Sequence, residues 1–100
     1  MKPVRILRSA QADIRAETAY YRKINPDLAQ RFRMAVESAA YAIPQYPMAM
    51  QILDFNVRRW PVDHGFPHGI LYRVEEEEIL VLSIFHPKRN PDNWKLGARA

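Results

Sequence analysis

The segment His-Pro-Lys-Arg at residues 86–89 places a histidine beside two cations, at the end of the last predicted strand. The unperturbed pKa of histidine lies near neutral pH, so His86 could act as general base or acid in phosphodiester cleavage by 2′-hydroxyl attack. The neighbouring cations would stabilise the charge of the phosphorane. The competing interpretation is a strand-terminal histidine that hydrogen-bonds the backbone. His64 and His68 fall in a predicted loop, and nothing in the sequence places either beside His86.

Arginines on the predicted strands are the second set of residues with chemical potential. Successive side chains of a strand point to opposite faces, so only one of Arg58 and Arg59 can share a face with neighbouring strands. If Arg59 and Arg73 lie together on the open face of the sheet, they form a cationic patch that suits a phosphate or a carboxylate. Either arginine could equally be a solvated or ion-paired surface residue. Tyr72 is predicted to pack its ring in the core, with its hydroxyl bound to a polar partner.

An apolar stripe on the second predicted helix, followed by methionines, is the third candidate. Phe32, Val36 and Tyr41 belong to this helix, and Met48-Ala49-Met50 follows shortly after it. Such surfaces bind amphipathic partner helices, but at this spacing the residues more often form a core. The sequence has no nucleotide-binding or metal-binding motif, so no cofactor and no metal are predicted.

Composition predicts one small soluble domain. The chain has 100 residues, of which 48% are apolar and 26% charged, and it has no cysteine. Disulfides, thiol nucleophiles and thiolate metal sites are therefore excluded. The longest apolar run, at 79–82, has four residues, far fewer than the roughly 20 that span a bilayer. Because the N-terminal segment lacks the apolar region of a signal peptide, a cytoplasmic protein without a membrane partner is expected.

The charge balance predicts an anionic partner. The formal net charge is +4, although four of the 11 acidic residues are consecutive at 75–78. Outside that run, 15 basic residues face seven acidic ones. A surface this basic attracts a polyanion or an acidic protein segment; the alternative is that the charge serves solubility. The glutamate run is predicted to be a solvated hairpin loop.

The first half of the chain is predicted to form a strand and two helices. Residues 4–7 are short and β-branched, and Ser9 is the predicted N-cap of a helix at 10–24, with Asp13 in its first turn. Asn25 then caps a second helix that starts at Pro26. The apolar stripe of this helix continues to residue 43, and the short link predicts an antiparallel helical hairpin.

The second half is predicted to form a sheet. After Pro44 and Pro47 the apolar pattern becomes alternating, which indicates strands at 56–62, 70–75 and 79–85. Residues 64–69 are the predicted turn between the first two. The nearly continuous apolar run of the last strand is typical of a central strand buried on both sides, or on most of one side. Residues 87–100 are predicted to be an extended arm that docks Trp94 onto the body.

These elements predict a single α+β domain over residues 1–100, in the order β-α-α-β-β-β. The N-terminal strand joins an antiparallel sheet, and the helical hairpin packs on one face to make two layers. The other face is expected to be open and to display positive charge.

A series of short elements runs through nearly the whole chain in order: A-x-x-D-I at 10–14, Y-Y at 20–21, N-P-x-L-A-x-R-F at 25–32, V-E at 36–37, V-R-R-x-P-V at 57–62, F-P-x-G-I-L-Y-R-V at 66–74, I-L-V-L-S-I-F-H at 79–86 and R-N-P-x-x-W at 89–94. No single element is specific, but the compound pattern is. In this pattern the sequence resembles the RelE/ParE superfamily of toxins from type II toxin–antitoxin, or plasmid stabilisation, modules.

The resemblance implies a small basic toxin that inhibits growth and is neutralised by a cognate antitoxin, whose extended segment covers helices and sheet. Two activities divide the superfamily. RelE-like members cleave messenger RNA in the ribosome with basic, histidine and tyrosine side chains on the sheet. ParE-like members inhibit DNA gyrase without being nucleases.

The chain looks more similar to the ParE-like members. Pro87 follows His86 directly, and no tyrosine comes after Tyr72, whereas nuclease members commonly carry an aromatic hydroxyl in or after the final strand. The long helical hairpin and the H-x-x-R-x-P-x-x-W ending at 86–94 also resemble the ParE side. The favoured hypothesis is a non-enzymatic toxin, with DNA gyrase and the antitoxin as partners.

Two alternatives stay open. A ribosome-dependent mRNA endoribonuclease of RelE type would use His86 as acid or base and Arg59, Arg73 and Arg89 as phosphate clamps. A decayed toxin would retain only antitoxin binding. The predicted antitoxin-binding residues are Phe32, Val36, Arg58, Arg73 and Trp94.

Overall fold

The computed structural model describes residues 1–88. Within this range the elements follow the predicted order, β1 (Val4–Ile6), α1 (Arg8–Ile24), α2 (Pro26–Ala42), β2 (Val57–Asp63), β3 (Phe66–Val74) and β4 (Ile79–Phe85). The predicted β-α-α-β-β-β arrangement is therefore confirmed. Most of the predicted C-terminal arm, including Arg89 and Trp94, lies outside the described residues.

The start of α2 follows its local capping signal. The side-chain oxygen of Asn25 accepts a hydrogen bond from the backbone N–H of Asp27 at 2.9 Å, and Pro26 is the first helical residue. The carboxylate of Asp27 adds negative charge where the helix dipole favours it. The second helix and its cap are as predicted.

The start of α1 differs from the prediction. The helix begins at Arg8, and Leu7 stands at the N-cap position without a side-chain cap. The prediction that Ser9 caps this helix is therefore wrong, as is the placement of Asp13 in the first turn, which has no acidic residue.

The four strands form one sheet in the order β1-β4-β3-β2. β2, β3 and β4 pair antiparallel, as predicted, whereas β1 runs parallel to β4 with Arg5 opposite Leu80. The sheet is therefore mixed rather than wholly antiparallel. Parallel neighbours need a crossover connection, which the chain from α1 to β3 supplies here.

Side chains of α1 complete the edge of β4 beyond the end of β1. The Ser9 hydroxyl donates to the carbonyl of Leu82 at 2.6 Å. The carboxylate of Asp13 accepts the backbone N–H of Ile84 at 3.0 Å. A strand edge left uncovered has unsatisfied backbone donors and acceptors. Ser9 and Asp13 thus hydrogen-bond backbone groups of β4 rather than those at the start of their own helix.

Both helices pack on one side of the sheet, which we call the first face. Its core combines the apolar stripe of α2 with alternate residues of the strands. Phe32, Ile43, Ile70 and Tyr72 are all at most 1% exposed. The two-layer architecture of helical hairpin on sheet is therefore confirmed.

The opposite side, the second face, is not the open cationic surface that the sequence predicts. Val57, Leu71, Leu80 and Leu82 form a small apolar cluster there, and each is at most 7% exposed. The other residues of the first half of β4 belong to the first-face core. β4 is thus buried on both sides, as its apolar run predicts.

The turn between β2 and β3 is shorter than predicted. Asp63, His64 and Gly65 have φ angles of 66°, 56° and 88°, in the left-handed region that closes tight turns. β3 therefore starts at Phe66, and His68 lies in a strand rather than in a loop at 64–69. The glutamate run does form the predicted loop between β3 and β4.

No helix within residues 1–88 is both long and apolar enough to cross a bilayer.

Candidate protein-binding site

His86 lies on the first face, next to His68. Gly69 pairs with Phe85, and both lie on the second face. Because successive residues of a strand alternate between faces, His68 and His86 point towards the helices. The two imidazole rings are 5.0 Å apart between centroids and nearly perpendicular. Nδ1 of His86 accepts the backbone N–H of Lys88 at 3.1 Å. This hydrogen bond fits the alternative interpretation of His86, in which the imidazole bonds the backbone instead of acting in catalysis.

His68 is a residue whose role sequence reasoning missed. It is 0% exposed, and its Nε2 lies 2.8 Å from the carboxylate of Glu17 in α1. The rings of Tyr21, Phe32 and Phe66 surround it at centroid distances from 4.9 to 6.4 Å. The pair joins α1 to β3 inside an aromatic environment, where a hydrogen bond is stronger than in water. The alternation of apolar residues that begins at Phe66 is the sequence signal that could have placed His68 in a strand.

Arg59 and Arg73 share the second face. Arg59 is opposite Leu71, and Arg73 lies two residues further along the same strand. The two arginines are therefore diagonal neighbours, but the sheet separates them from His86. Of the four residues in the endoribonuclease hypothesis, three are described, and the structure does not bring His86 together with the two arginines.

Two cations of the second face have carboxylate partners. Nε of Arg73 is 3.1 Å from Glu75, and Arg5 makes bonds of 3.0 and 3.1 Å to Glu78. The hydrogen bond from Arg5 lowers the pKa of the Glu78 carboxyl, and the same bond raises the pKa of Arg5. Of the two arginines in the predicted patch, Arg73 is thus neutralised by an ion pair.

Arg59 is held differently. Its guanidinium carbon lies 5.6 Å from the centre of the Phe85 ring, and Nη2 donates to the carbonyl of Pro67 at 3.3 Å. No carboxylate of residues 1–88 forms an ion pair with it. A guanidinium over an aromatic ring is fixed in place yet keeps its charge. Arg59 therefore gives the second face a positive charge that is available to a binding partner.

Gly69 makes room for that arrangement. A Cβ at this position would lie 2.6 Å from Nε of Arg59 and 2.8 Å from the ring of Phe85. The missing side chain lets Arg59 cross β3 to reach β4. This glycine serves close packing, because its φ is not in the left-handed region.

A second cationic surface lies on the exposed side of the helical hairpin, and we call it the helical groove. Its floor is formed by two small buried residues, Thr18 at 5% and Ala29 at 3% exposure. Arg22 and Arg33 line a cavity of about 350 Å³ and also the adjoining one of about 380 Å³, which Arg15 lines as well. Within residues 1–88 none of these arginines forms an ion pair. A groove of this kind suits an acidic helical segment.

Of the predicted antitoxin-binding residues, Phe32 and Val36 lie in the first-face core, at 0% and 5% exposure. A partner cannot contact these side chains without displacing the sheet. Arg58 points to the opposite side from Arg59 and donates to the carbonyls of Met48 and Met50. It therefore holds the chain between α2 and β2. Trp94 lies outside the described residues.

Tyr72 fulfils the structural prediction made for it. Its ring is buried in the core, and its hydroxyl donates to the carbonyl of Pro47 at 2.8 Å. Burial raises the pKa of this hydroxyl, while the charge of Arg58 acts in the opposite direction. The group is committed to the fold rather than presented to a substrate.

Residues 1–88 contain no group of three or more histidine, aspartate and glutamate side chains placed to hold a metal ion.

Comparison with known proteins gives a family match over most of the chain. The family model for the ParE toxin of type II toxin-antitoxin system, parDE, matches residues 4–91. Among solved structures, the chain is similar to one titled "Chromosomal ParDE TA system from P. aeruginosa", with a TM-score of 0.74 and 24% identity. That alignment covers 84% of this chain and 94% of the other, and it supports the fold. No curated protein matches.

Proposed function

This chain belongs to the ParE toxin family of type II toxin–antitoxin systems, and we propose that it inhibits growth by acting on DNA gyrase until a cognate antitoxin neutralises it. The family match over residues 4–91 is the observation that carries the proposal. The action on gyrase is what the ParE side of the superfamily implies.

The geometry supports a binding mechanism over RNA cleavage. His86 lies on the helix-covered face beside His68, whereas Arg59 and Arg73 lie across the sheet. General acid–base catalysis needs the histidine within hydrogen-bond reach of the reacting group that the cations hold. The hydroxyl of Tyr72 is also engaged, with the carbonyl of Pro47. No observation favours the endoribonuclease alternative.

The antitoxin is proposed to bind through its acidic side chains at two places. The helical groove supplies Arg22 and Arg33 on the exposed side of the hairpin. The second face supplies Arg59 and, after exchange with Glu75, Arg73. These positions replace Phe32 and Val36, whose side chains are buried. Coverage of both surfaces would stabilise this small domain by mass action.

Gyrase inhibition is tested with the purified full chain, gyrase and relaxed plasmid. We expect loss of supercoiling or accumulation of cleaved DNA, and reversal of either effect by the antitoxin. A His86→Ala variant should inhibit as strongly as the parent chain, because the proposed mechanism makes no use of the imidazole. Unaffected supercoiling, together with His86-dependent cuts in a translation and primer-extension assay, would establish the nuclease instead. Growth unaffected by induced expression would establish a decayed toxin.

Antitoxin binding is tested by charge reversal in the helical groove. The double variant Arg22→Glu/Arg33→Glu should weaken affinity roughly 100-fold, because each reversal sets like charges against each other. A matched control, Arg8→Glu/Lys23→Glu, makes the same charge change at exposed sites that do not line the groove. Equal losses in the two doubles would show that net charge, not the groove, determines the affinity.

A further inference from the structure

A cavity lies between α2 and the turn that joins β2 to β3, and we call it the turn pocket. Its volume is about 320 Å³, which is within the range of small-molecule sites. It shares only Met34 with the cavities of the helical groove. The side chains that line the turn pocket are Arg31, Met34, Ala35, Ser38, His64 and Phe66.

The base of the turn pocket is apolar. Positions 31, 34, 35 and 38 of α2 are three or four residues apart, so their side chains lie on one face of the helix. Ala35 and Phe66 are 5% and 9% exposed and form the base, whereas Met34 is 59% exposed and forms part of the wall. Small-molecule sites typically combine such apolar surface with a few polar groups.

The polar groups of the turn pocket are all hydrogen-bond donors. Arg31, Ser38 and His64 contribute a guanidinium, a hydroxyl and an imidazole. Within residues 1–88 none of the three side chains forms an ion pair or a hydrogen bond with another protein group. No carboxylate lines the pocket. The donors are therefore available to an anion.

The turn holds His64 in an uncommon backbone conformation. Asp63 and His64 have φ angles of 66° and 56°, in the left-handed region that few residues other than glycine adopt. Such conformations persist only where the surrounding structure fixes them. Here the pairing of Asp63 with Phe66 closes the turn. The imidazole thus lines the pocket from a backbone of defined shape, which lowers the entropic cost of binding.

The donors suit a phosphate monoester better than a carboxylate. A guanidinium binds two oxygens of a phosphate with its planar fork. A phosphate monoester has three terminal oxygens and can accept from Arg31, Ser38 and His64 together, whereas a carboxylate has only two. The apolar part of the pocket suits a planar ring, because both the thioether of Met34 and the ring of Phe66 make favourable contacts with aromatic groups.

We propose that the turn pocket binds a phosphate monoester that carries a planar ring, which is the chemistry of a nucleoside 5′-phosphate. The phosphate contacts Arg31, Ser38 and His64, and the ring packs on Met34 and Phe66. Two sources present this group, a free nucleotide and the 5′-phosphorylated end of a nucleic-acid strand. The net charge of +4 attracts either one. The proposal does not depend on gyrase or on the antitoxin.

Calorimetric titration of the purified full chain with adenosine 5′-monophosphate tests the proposal. We expect one saturable site per chain, with affinity at least about ten-fold higher than for adenosine or for inorganic phosphate. No binding of the nucleotide overturns the proposal. Inorganic phosphate that binds as tightly as the nucleotide also overturns it, because the ring then contributes nothing. Equal binding of adenosine does the same for the phosphate.

A 5′-phosphorylated trinucleotide distinguishes the two sources. Tighter binding than that of the mononucleotide would support the proposal with the end of a strand as the source. Weaker binding would support it with the free nucleotide as the source, because the additional nucleotides then do not fit beside the pocket.

Two variants locate the binding. Arg31→Gln should weaken it at least about ten-fold, because it removes the charged fork. Arg8→Gln is the matched control, since it removes the same charge from an exposed helical position that does not line the pocket, and it should leave the affinity unchanged. Equal weakening by both variants would show unspecific attraction and overturn the proposal.

His64→Gly is the second test, and its fold should be preserved because glycine readily adopts the left-handed conformation. It should melt no lower than the parent chain and bind the nucleotide at least about three-fold more weakly. Binding that both Arg31→Gln and His64→Gly leave intact would place the nucleotide elsewhere on the protein and overturn the proposal.

Discussion

The two faces of the sheet differ in how their side chains are used. The first face is covered by both helices and contains aromatic and aliphatic residues together with the buried His68 and its partner Glu17. The second face has four buried aliphatic residues at its centre and arginines around them. The helix-covered face thus contains most of the core, and the second face combines a small core with charge.

This difference separates stability from recognition. A chain of 100 residues buries only about 60–65% of its unfolded surface, so one well-covered face must provide most of the free energy of unfolding. The arginines of the second face are then available for binding at little cost to the fold, whereas the aliphatic residues at its centre are buried. Substitutions on the two faces should therefore have different consequences, and the following variants test that expectation.

The largest effect is expected on the first face, for Phe32→Ala. Phe32 is 0% exposed and packs against Tyr21, Phe66 and His68. Its removal leaves a cavity and should lower the free energy of unfolding by about 3–5 kcal/mol, measured by urea denaturation. Met34→Ala on the same helix, where the side chain is 59% exposed, should change it by no more than about 0.5 kcal/mol. Similar losses in both variants would contradict the division between covered and exposed sides of α2.

A smaller effect is expected on the second face, for Gly69→Ala. The new Cβ would lie 2.6 Å from Nε and 2.9 Å from Cγ of Arg59 and 2.8 Å from the Phe85 ring, so both side chains must shift. The expected loss is about 1–3 kcal/mol. In an Arg59→Ala background the loss should be smaller, because one of the two obstacles is gone.

Gly65→Ala is the matched control for that cycle. Gly65 has a φ of 88° and no atom within 4 Å of a built Cβ, so its cost comes from the backbone and should not depend on Arg59. If Gly69→Ala costs the same with and without Arg59, the guanidinium does not occupy the position across β3 described here.

The fold follows from periodic patterns and local caps. The apolar stripe of α2, its Asn25-Pro26 start and the continuous apolar run of β4 were sufficient to predict the helical hairpin and a strand buried on both sides. Alternation along β2 also predicted that Arg58 and Arg59 point to opposite faces, as they do.

The predictions that were wrong depend on distant contacts. Ser9 and Asp13 have the sequence signature of a helix start. Their side chains instead hydrogen-bond the backbone of β4, a strand edge about 70 residues further along the chain. Glycine and proline around His68 indicated a loop, although the turn occupies only the residues just before Phe66. The parallel pairing of β1 with β4 has no local signal at all. For the same reason no pattern could show that the sheet separates His86 from Arg59.

The smallest effect is expected at the edge of the second face, where Arg5 meets Glu78. Both groups are exposed, so the pair should contribute little to stability. Its signature is a titration: the hydrogen bond from Arg5 holds the pKa of Glu78 below the ordinary 4.5. A carboxyl whose pKa is depressed on folding contributes stability that is present above the unfolded value and lost as pH falls through the folded one. Arg5→Gln should therefore raise the pKa of Glu78 towards 4.5, as followed by NMR, whereas Arg8→Gln should leave it depressed. A Glu78 titration that is the same in all three chains would mean that this pair does not form in solution, and that Arg5 adds a further available charge to the second face beside Arg59.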